Sequence, residues 1–145
     1  MNGSTLSPKT RELAQWLLDH EAAASRPSDA EGNMPAAFHV SEKLRHPLSA
    51  LTGAIGFRAL LARALTLAKA QLPSLNAVQV KRDGSLEGLN GLRNDEAAEA
   101  GVTLIAQLLG LLGTFIGENL MLRVVGDVWR DVPVNNAESR EGKEA

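Results

Sequence analysis

The sequence predicts a small, mainly α-helical domain: a helical bundle built on a long antiparallel helix hairpin, with a small β-hairpin near residues 77–89. Composition favours helix, because tyrosine is absent and aromatic residues make up only 3% of the chain, while alanine and leucine are abundant. Apolar residues recur at helical spacing in three segments. At 145 residues, the chain is long enough to bury a core without disulfides, and it contains no cysteine.

The first predicted helix runs from Pro8 to Ala24. Ser7 is a suitable N-cap, and Pro8 suits the first helical position. The apolar face of this helix is formed by Leu13, Trp16, Leu17, His20 and Ala24. Residues 25–35 are rich in turn-forming and polar side chains and are expected to be a linker.

The second helical region is expected from Ala36 to Leu72. Within it, Pro47 should either begin the main helix or kink it, because proline lacks the N–H group and crowds the preceding turn. Pro73 is expected to end the helix. The apolar stripe of this region is Leu44, Leu48, Leu51 and Ile55.

The segment from Ala77 to Leu89 has the pattern of a β-hairpin. Val78 and Val80 alternate with polar residues, and the dipeptide at 83–84 is Asp-Gly, a strong two-residue turn signal. Two strands alone are marginally stable in water, so we expect the hairpin to lie against the helices.

The third predicted helix, Asp95 to Asp131, carries acidic residues in its first turns, where the helix dipole favours them. It has two apolar stripes and should therefore have neighbours on two sides. One stripe is Val102, Ile105, Leu109, Leu112 and Ile116; the other is Leu104, Leu108, Leu111, Phe115, Leu122, Val125 and Trp129. The uncharged run 101–117 is shorter than the roughly 20 residues of a membrane span. A buried core helix is therefore favoured over a membrane helix.

Ala106, Gly110 and Gly117 fall on one side of this third helix, with Gly113 and Thr114 flanking them. A matching set on the second helix favours close packing of the two; it comprises Ala50, Gly53, Ala54, Ala64 and Ala68. A ligand groove along the glycines is the alternative. Two predictions are open for Glu118: it is buried and paired with Arg58 or Arg63, or it faces water.

The sequence contains no assignable catalytic, cofactor-binding or metal-binding site. His39, Glu42 and His46 have the spacing of one helix face and form a weak metal-site candidate. However, His46 precedes a proline, a position that disfavours helical backbone angles, so solvated side chains are the favoured interpretation. Phosphate-binding loops and the G-x-S-x-G nucleophile motif are missing, so the sequence leans against an enzyme and implies no cofactor.

The charge is distributed unevenly along the chain. Residues 40–82 carry seven basic side chains and one acid, whereas residues 1–39 sum to −2 and residues 83–145 to −6. Such blocks can mark a nucleic-acid surface, but more often they face each other within one fold. Because almost no aromatic residues stand among the basic ones, the sequence does not favour nucleic acid as a partner.

Two resemblances bear on the fold. The segment SEKLRHPLSALTG (41–53) resembles the phosphoacceptor box of histidine-kinase dimerisation domains. Glu42 occupies the position of the phosphorylated histidine, however, and we interpret the short match as coincidental. The blocks GFRALLARAL, DGSLEGL and AQLLGLLGTFIGE are similar to a set of uncharacterised bacterial proteins. That resemblance implies a compact helical domain in a bacterium and carries no activity or partner.

Together these features predict an N-terminal helix and linker (1–35), a helical core (36–132) and a flexible tail (133–145). The first residues lack a basic start followed by an apolar core, so we expect no secretory signal and a cytoplasmic protein. We expect a non-enzymatic interaction or regulatory module that pairs with itself or with another protein. In the expected homodimer, two helix hairpins form a four-helix core. The alternative is a helical protein that binds a small ligand or a metal.

Overall fold

The computed structural model of the chain describes residues 8–24, 36–82, 84–88 and 94–130. Five α-helices dominate this part of the chain, and the predicted mainly helical fold with a small hairpin is confirmed. The helices are α1 (Pro8–Ala24), α2 (Ala36–Thr52), α3 (Ala54–Gln71), α4 (Asn94–Ile116) and α5 (Glu118–Val128). A 3-10 helix (Pro73–Ala77) and the strands β1 (Gln79–Val80) and β2 (Leu86–Glu87) lie between α3 and α4. The predicted cap Ser7, linker 25–35 and tail 133–145 lie outside the described residues.

Helix α4 is the centre of the bundle. It packs against α1, α2, α3 and α5, and its contact with α3 is the most extensive in the fold. Every residue from Ala100 to Leu109 is buried. Both apolar stripes of α4 are therefore covered along this stretch by helices of the same chain. Covering this helix therefore does not require the expected four-helix dimer core, because α1, α2, α3 and α5 of the same chain already pack against it.

The β-hairpin forms where the sequence predicts it. Strands β1 and β2 pair antiparallel, with Gln79 opposite Glu87 and Val80 opposite Leu86. The Asp of the Asp-Gly turn lies outside the described residues, while Gly84 has a positive φ of 88°. A Cβ atom at Gly84 would lie 3.5 Å from the Phe57 ring. The turn of the hairpin is therefore placed beside the first turn of α3.

The second predicted helix is broken at Gly53, and Pro47 neither starts nor ends a helix. Pro47 lies inside α2. Proline has no N–H to donate to the carbonyl four residues earlier, which is that of Lys43, an exposed residue. Gly53 has a φ of 84°, which a helix cannot continue through, and its carbonyl accepts the first hydrogen bond of α3, from Phe57 N–H at 2.9 Å.

The third predicted helix is likewise broken, at Gly117, into α4 and α5. Gly117 has a φ of 94°, and its carbonyl accepts a hydrogen bond from Met121 N–H at 3.0 Å. The prediction of one continuous helix to Asp131 was wrong, because apolar periodicity carries through a corner that one glycine makes. Thus α2–α3 and α4–α5 each turn at a glycine of nearly the same backbone conformation.

One helix among the described residues, Asp95–Ile116, is long and apolar enough to cross a membrane by length and composition alone. The mean hydropathy of its most apolar window is 1.6, and 61% of that window is buried inside the protein. Core helices of soluble proteins meet the same criterion, which makes this feature weak support for a membrane span.

Candidate interaction surface

The three residues of the candidate metal site do not form a metal centre. His39 is half-buried, with its ring edge-on to Phe38, and His46 is exposed. Glu42 instead accepts a hydrogen bond from Arg45 Nη2 at 2.5 Å, a salt bridge one helical turn away. In the described ranges, no group of three or more histidine, aspartate or glutamate side chains could hold a metal ion.

Two glycines of the predicted stripe, Gly113 and Gly117, lie at the α4–α5 corner. Gly117 is exposed, and a Cβ there would meet nothing within 4 Å. A Cβ at Gly113 would lie 3.9 Å from Met121 Cε and 4.0 Å from Glu118 Cα, so Gly113 faces α5. The carbonyl of Gly110 accepts a hydrogen bond from the Thr114 hydroxyl.

The matching small residues of α2 and α3 divide in the same way. Ala64 and Ala68 are buried, whereas Ala50, Gly53 and Ala54 are exposed. The predicted close packing of small residues is therefore not found at the two corners, where the small residues of both stripes are exposed to solvent.

A close helix contact does occur at a glycine that sequence reasoning missed. A Cβ at Gly101 would lie 3.2 Å from Ala37 Cβ and 3.4 Å from Leu18 Cδ1. Gly101 therefore lets α4 approach α1 and α2 together. The available signal was its position inside the most apolar helix of the chain, where a glycine costs about 1 kcal/mol relative to alanine unless packing requires it.

Glu118 faces solvent, the second of the two outcomes considered for it. It is exposed at the first position of α5 and makes no ion pair with any residue in the described part of the chain. Arg58, one of its expected partners, donates from Nη1 to the carbonyl of Arg82 at 3.3 Å, which holds it against the hairpin turn. Arg63 is exposed on α3.

Four large apolar side chains are exposed among the described residues, and all four flank the glycine corners. Leu51 is 50% exposed and Ile55 75%, on either side of Gly53; Phe115 is 65% exposed and Leu120 36%, on either side of Gly117. Phe115 was expected within a packed stripe, but the chain turns at Gly117 before a neighbour covers it. We call these four side chains the apolar end.

Both corners lie at the same end of the bundle. Gly101 lies beside Ala37, and each is followed by its corner glycine 16 residues later, about 24 Å along a helix. After its corner, α5 returns and contacts α2. Trp129 and Lys43 each lie about 15–18 Å from their corners by helical rise. Both donate hydrogen bonds to the carboxylate of Glu21 on α1. These contacts agree with α2 and α4 running in the same direction, which places both corners at one end of the bundle.

Charges lie at the border of the apolar end. No aspartate, glutamate, lysine or arginine occurs between Arg45 and Arg58, nor between Glu99 and Glu118. The first charge after the α2–α3 corner is therefore basic, and the first after the α4–α5 corner is acidic. The uneven charge along the sequence places opposite signs beside the two halves of one apolar surface.

A second polar feature, also missed from the sequence, lies inside the fold. The Glu21 carboxylate is buried, and its Oε2 accepts hydrogen bonds from Trp129 Nε1 at 2.8 Å and from Lys43 Nζ at 2.6 Å. Burial acts to raise the pKa of Glu21, but these two hydrogen bonds and the Lys43 charge outweigh it and lower the pKa. The signal was the position of Glu21 four residues after Leu17 on the apolar face.

This cluster joins α1, α2 and the residue that follows α5. It is a structural cross-link, because its polar groups are directed at one another and the carboxylate is covered. The arrangement offers binding chemistry at the apolar end and a stabilising polar cluster in the interior.

Comparison with known proteins adds no relative from which a function could be transferred. No family model matches the chain, and neither the curated proteins nor the solved structures gave a match.

Proposed function

We propose that this protein is a non-enzymatic interaction module that associates with itself through the apolar end. The observation that carries the proposal is the exposure of Leu51, Ile55, Phe115 and Leu120 at one end of the bundle. Burying a large apolar side chain contributes about 1.5–3 kcal/mol, so covering these four favours association. Contiguous exposed apolar surfaces mark interaction sites in soluble proteins.

Several further features agree with an interaction module. The sequence has neither a phosphate-binding loop nor a nucleophile elbow, and within the ranges that the structure describes the histidines belong to no metal-ligand set. The position of Gly113, which faces α5, does not favour the alternative of a small ligand bound along the glycine face. As part of the proposal, we place the module in a bacterial cytoplasm, a reducing compartment consistent with its lack of cysteine.

The experiment is a measurement of molar mass by sedimentation equilibrium at micromolar protein concentrations. We expect the wild type to sediment as a dimer and Phe115→Asp to sediment as a monomer with unchanged helical circular dichroism. Ala98→Asp is the matched control, because Ala98 is exposed on the same helix near the opposite end. We expect this control to remain a dimer.

Two results would contradict the proposal. A wild type that stays monomeric through the micromolar range would remove self-association. A Phe115→Asp variant that stays dimeric would leave self-association standing but would place it on another surface.

A further inference from the structure

We infer that the partner at the apolar end is a second copy docked about a two-fold axis, with the α2–α3 corner of each protomer against the α4–α5 corner of the other. This inference rests on the proposed function and specifies its geometry. In this arrangement Glu118 of each protomer lies beside Arg58 of the other. A two-fold contact forms this pair twice.

The first argument is the complementarity of the two corners. Each corner offers two large exposed apolar side chains: Leu51 and Ile55 on one, Phe115 and Leu120 on the other. Their bordering charges are opposite, Arg58 on the first and Glu118 on the second. Placing like corners together would set Glu118 against its own copy, and charge complementarity of this kind fixes the orientation of docking.

The second argument is reach. Glu118 is the first residue after its corner, whereas Arg58 follows Gly53 by five residues, about 7 Å along α3. Its guanidinium now donates to the Arg82 carbonyl in an exposed contact of 3.3 Å, and reaching the tip of the bundle requires it to exchange that contact for Glu118 of the second copy. Arg63 lies five residues further from the tip, about 15 Å from the corner, and is too remote for an end-on contact.

The third argument concerns the kind of partner. Glu118 is exposed among the apolar side chains that any partner must cover. A lipid surface would have to bury this carboxylate without a counter-charge, which is costly. A protein surface that carries an arginine beside an apolar corner satisfies it, and this chain has such a surface.

The test uses two variants that should each dimerise poorly alone and well when mixed. In Glu118→Arg, the introduced arginine faces Arg58 of the other protomer at both contacts. In Arg58→Glu, the introduced glutamate faces Glu118 at both contacts. We expect the dissociation constant of each single variant to rise roughly tenfold relative to wild type, since each pair changes from attraction to repulsion.

In the mixture, a heterodimer of the two variants has opposite charges at both contacts. We therefore expect a mixed dimer with a dissociation constant close to wild type, measured by fluorescence anisotropy with one variant labelled. Restoration on mixing requires the pair to lie between protomers, because a pair within one chain is not restored by adding a second protein. Arg63→Glu, matched in charge change, should leave the dissociation constant within about twofold of wild type.

Arg58→Glu also removes the hydrogen bond to the Arg82 carbonyl. Circular dichroism and the melting temperature of that variant are therefore measured first, and Arg58→Gln gives a milder second variant. We expect Arg58→Gln to weaken dimerisation less than the charge reversal. On mixing with Glu118→Arg it should gain less than Arg58→Glu does, because only one of the two contacts in that mixed dimer keeps a charge pair.

Failure here is distinguishable from failure of the proposed function. If Phe115→Asp abolishes the dimer but mixing restores nothing, the apolar end is the interface and the crossed arrangement is wrong. If the wild type is monomeric, the proposed function also fails. A monomeric wild type that co-sediments with phosphatidylglycerol vesicles would overturn both and assign the apolar end to a membrane.

Discussion

At the scale of single residues, Glu21 shows how one buried carboxylate can organise three helices. Its Oε2 receives hydrogen bonds from Trp129 and Lys43, which are remote from it in sequence. Lys43 remains half exposed, so its own desolvation cost is modest, while the carboxylate is covered. The lowered pKa of Glu21 means that the charged carboxylate is more stable in the folded protein than in the unfolded chain.

We expect Glu21→Gln to lower the free energy of unfolding by about 1–2 kcal/mol. The amide oxygen can still accept from the Trp129 indole, but the ion pair with Lys43 is lost in a covered position. Chemical denaturation followed by circular dichroism measures the change. Glu12→Gln, at an exposed position of the same helix, should change stability by less than about 0.5 kcal/mol. Equal effects of the two substitutions would mean that burial of Glu21 contributes nothing.

The same carboxylate gives a pH dependence with a defined sign. Because the pKa of Glu21 is lowered on folding, its contribution is fully present above the ordinary carboxyl value of 4.5 and is lost as pH falls through the lowered value. We therefore expect the stability difference between wild type and Glu21→Gln to be constant near neutral pH and to shrink below pH 4.5. A difference that grows with acidification would show that the pKa is raised instead.

At the scale of elements, two glycines turn what the sequence presents as two long helices into four. Gly53 and Gly117 have φ of 84° and 94°, a region that residues with a side chain rarely adopt. Neither corner is crowded, since a Cβ at either would meet nothing within 4 Å. The requirement for glycine there is thus one of backbone conformation alone.

Alanine substitutions at two neighbouring glycines should therefore have opposite effects. We expect Gly117→Ala to lower the free energy of unfolding by about 1–3 kcal/mol, because it strains the backbone at a positive φ. Gly113→Ala should raise it by about 0.5–1 kcal/mol, because Gly113 is inside α4 and its Cβ would make only ordinary contacts. Thermal and denaturant unfolding of both variants measures the two changes in the free energy of unfolding.

A destabilising Gly113→Ala would instead indicate that this glycine serves close packing, as the small-residue pattern first suggested. If Gly117→Ala were neutral, the corner would be able to relax into a continuous helix.

The fold class and most element positions could be predicted from the sequence, because apolar spacing, Pro8, Pro73 and the Asp-Gly turn are local signals. The corners could not, because a glycine inside an apolar helix has the same local pattern whether it packs, bends or ends the helix. Pro47 was expected to begin the main helix or to kink it, and because it lies inside α2 the first of these two expectations is wrong.

At the scale of the whole molecule, the same limit explains what could be said of the candidate site. Apolar periodicity assigned Phe115 to a packed stripe, and only the turn at Gly117 shows that the bundle leaves it uncovered. The spacing of His39, Glu42 and His46 suggested a shared site, whereas Arg45 takes the carboxylate. An exposed apolar surface depends on where the chain turns, and a pairing such as Glu21 with Trp129 depends on contacts between distant segments.

Self-association through the apolar end has a thermodynamic consequence for the entire fold. If the dimer is the stable form, unfolding is coupled to dissociation, and the melting temperature depends on protein concentration. We expect the wild-type melting temperature to rise by about 2 °C for each tenfold increase in concentration. Phe115→Asp should show no such dependence, and Ala98→Asp should follow the wild type. Differential scanning calorimetry from 5 to about 500 μM provides the measurement. Since Phe115 is largely exposed in the single chain, a Phe115→Asp variant that melts far below the most dilute wild type would show that this ring supports the protomer itself.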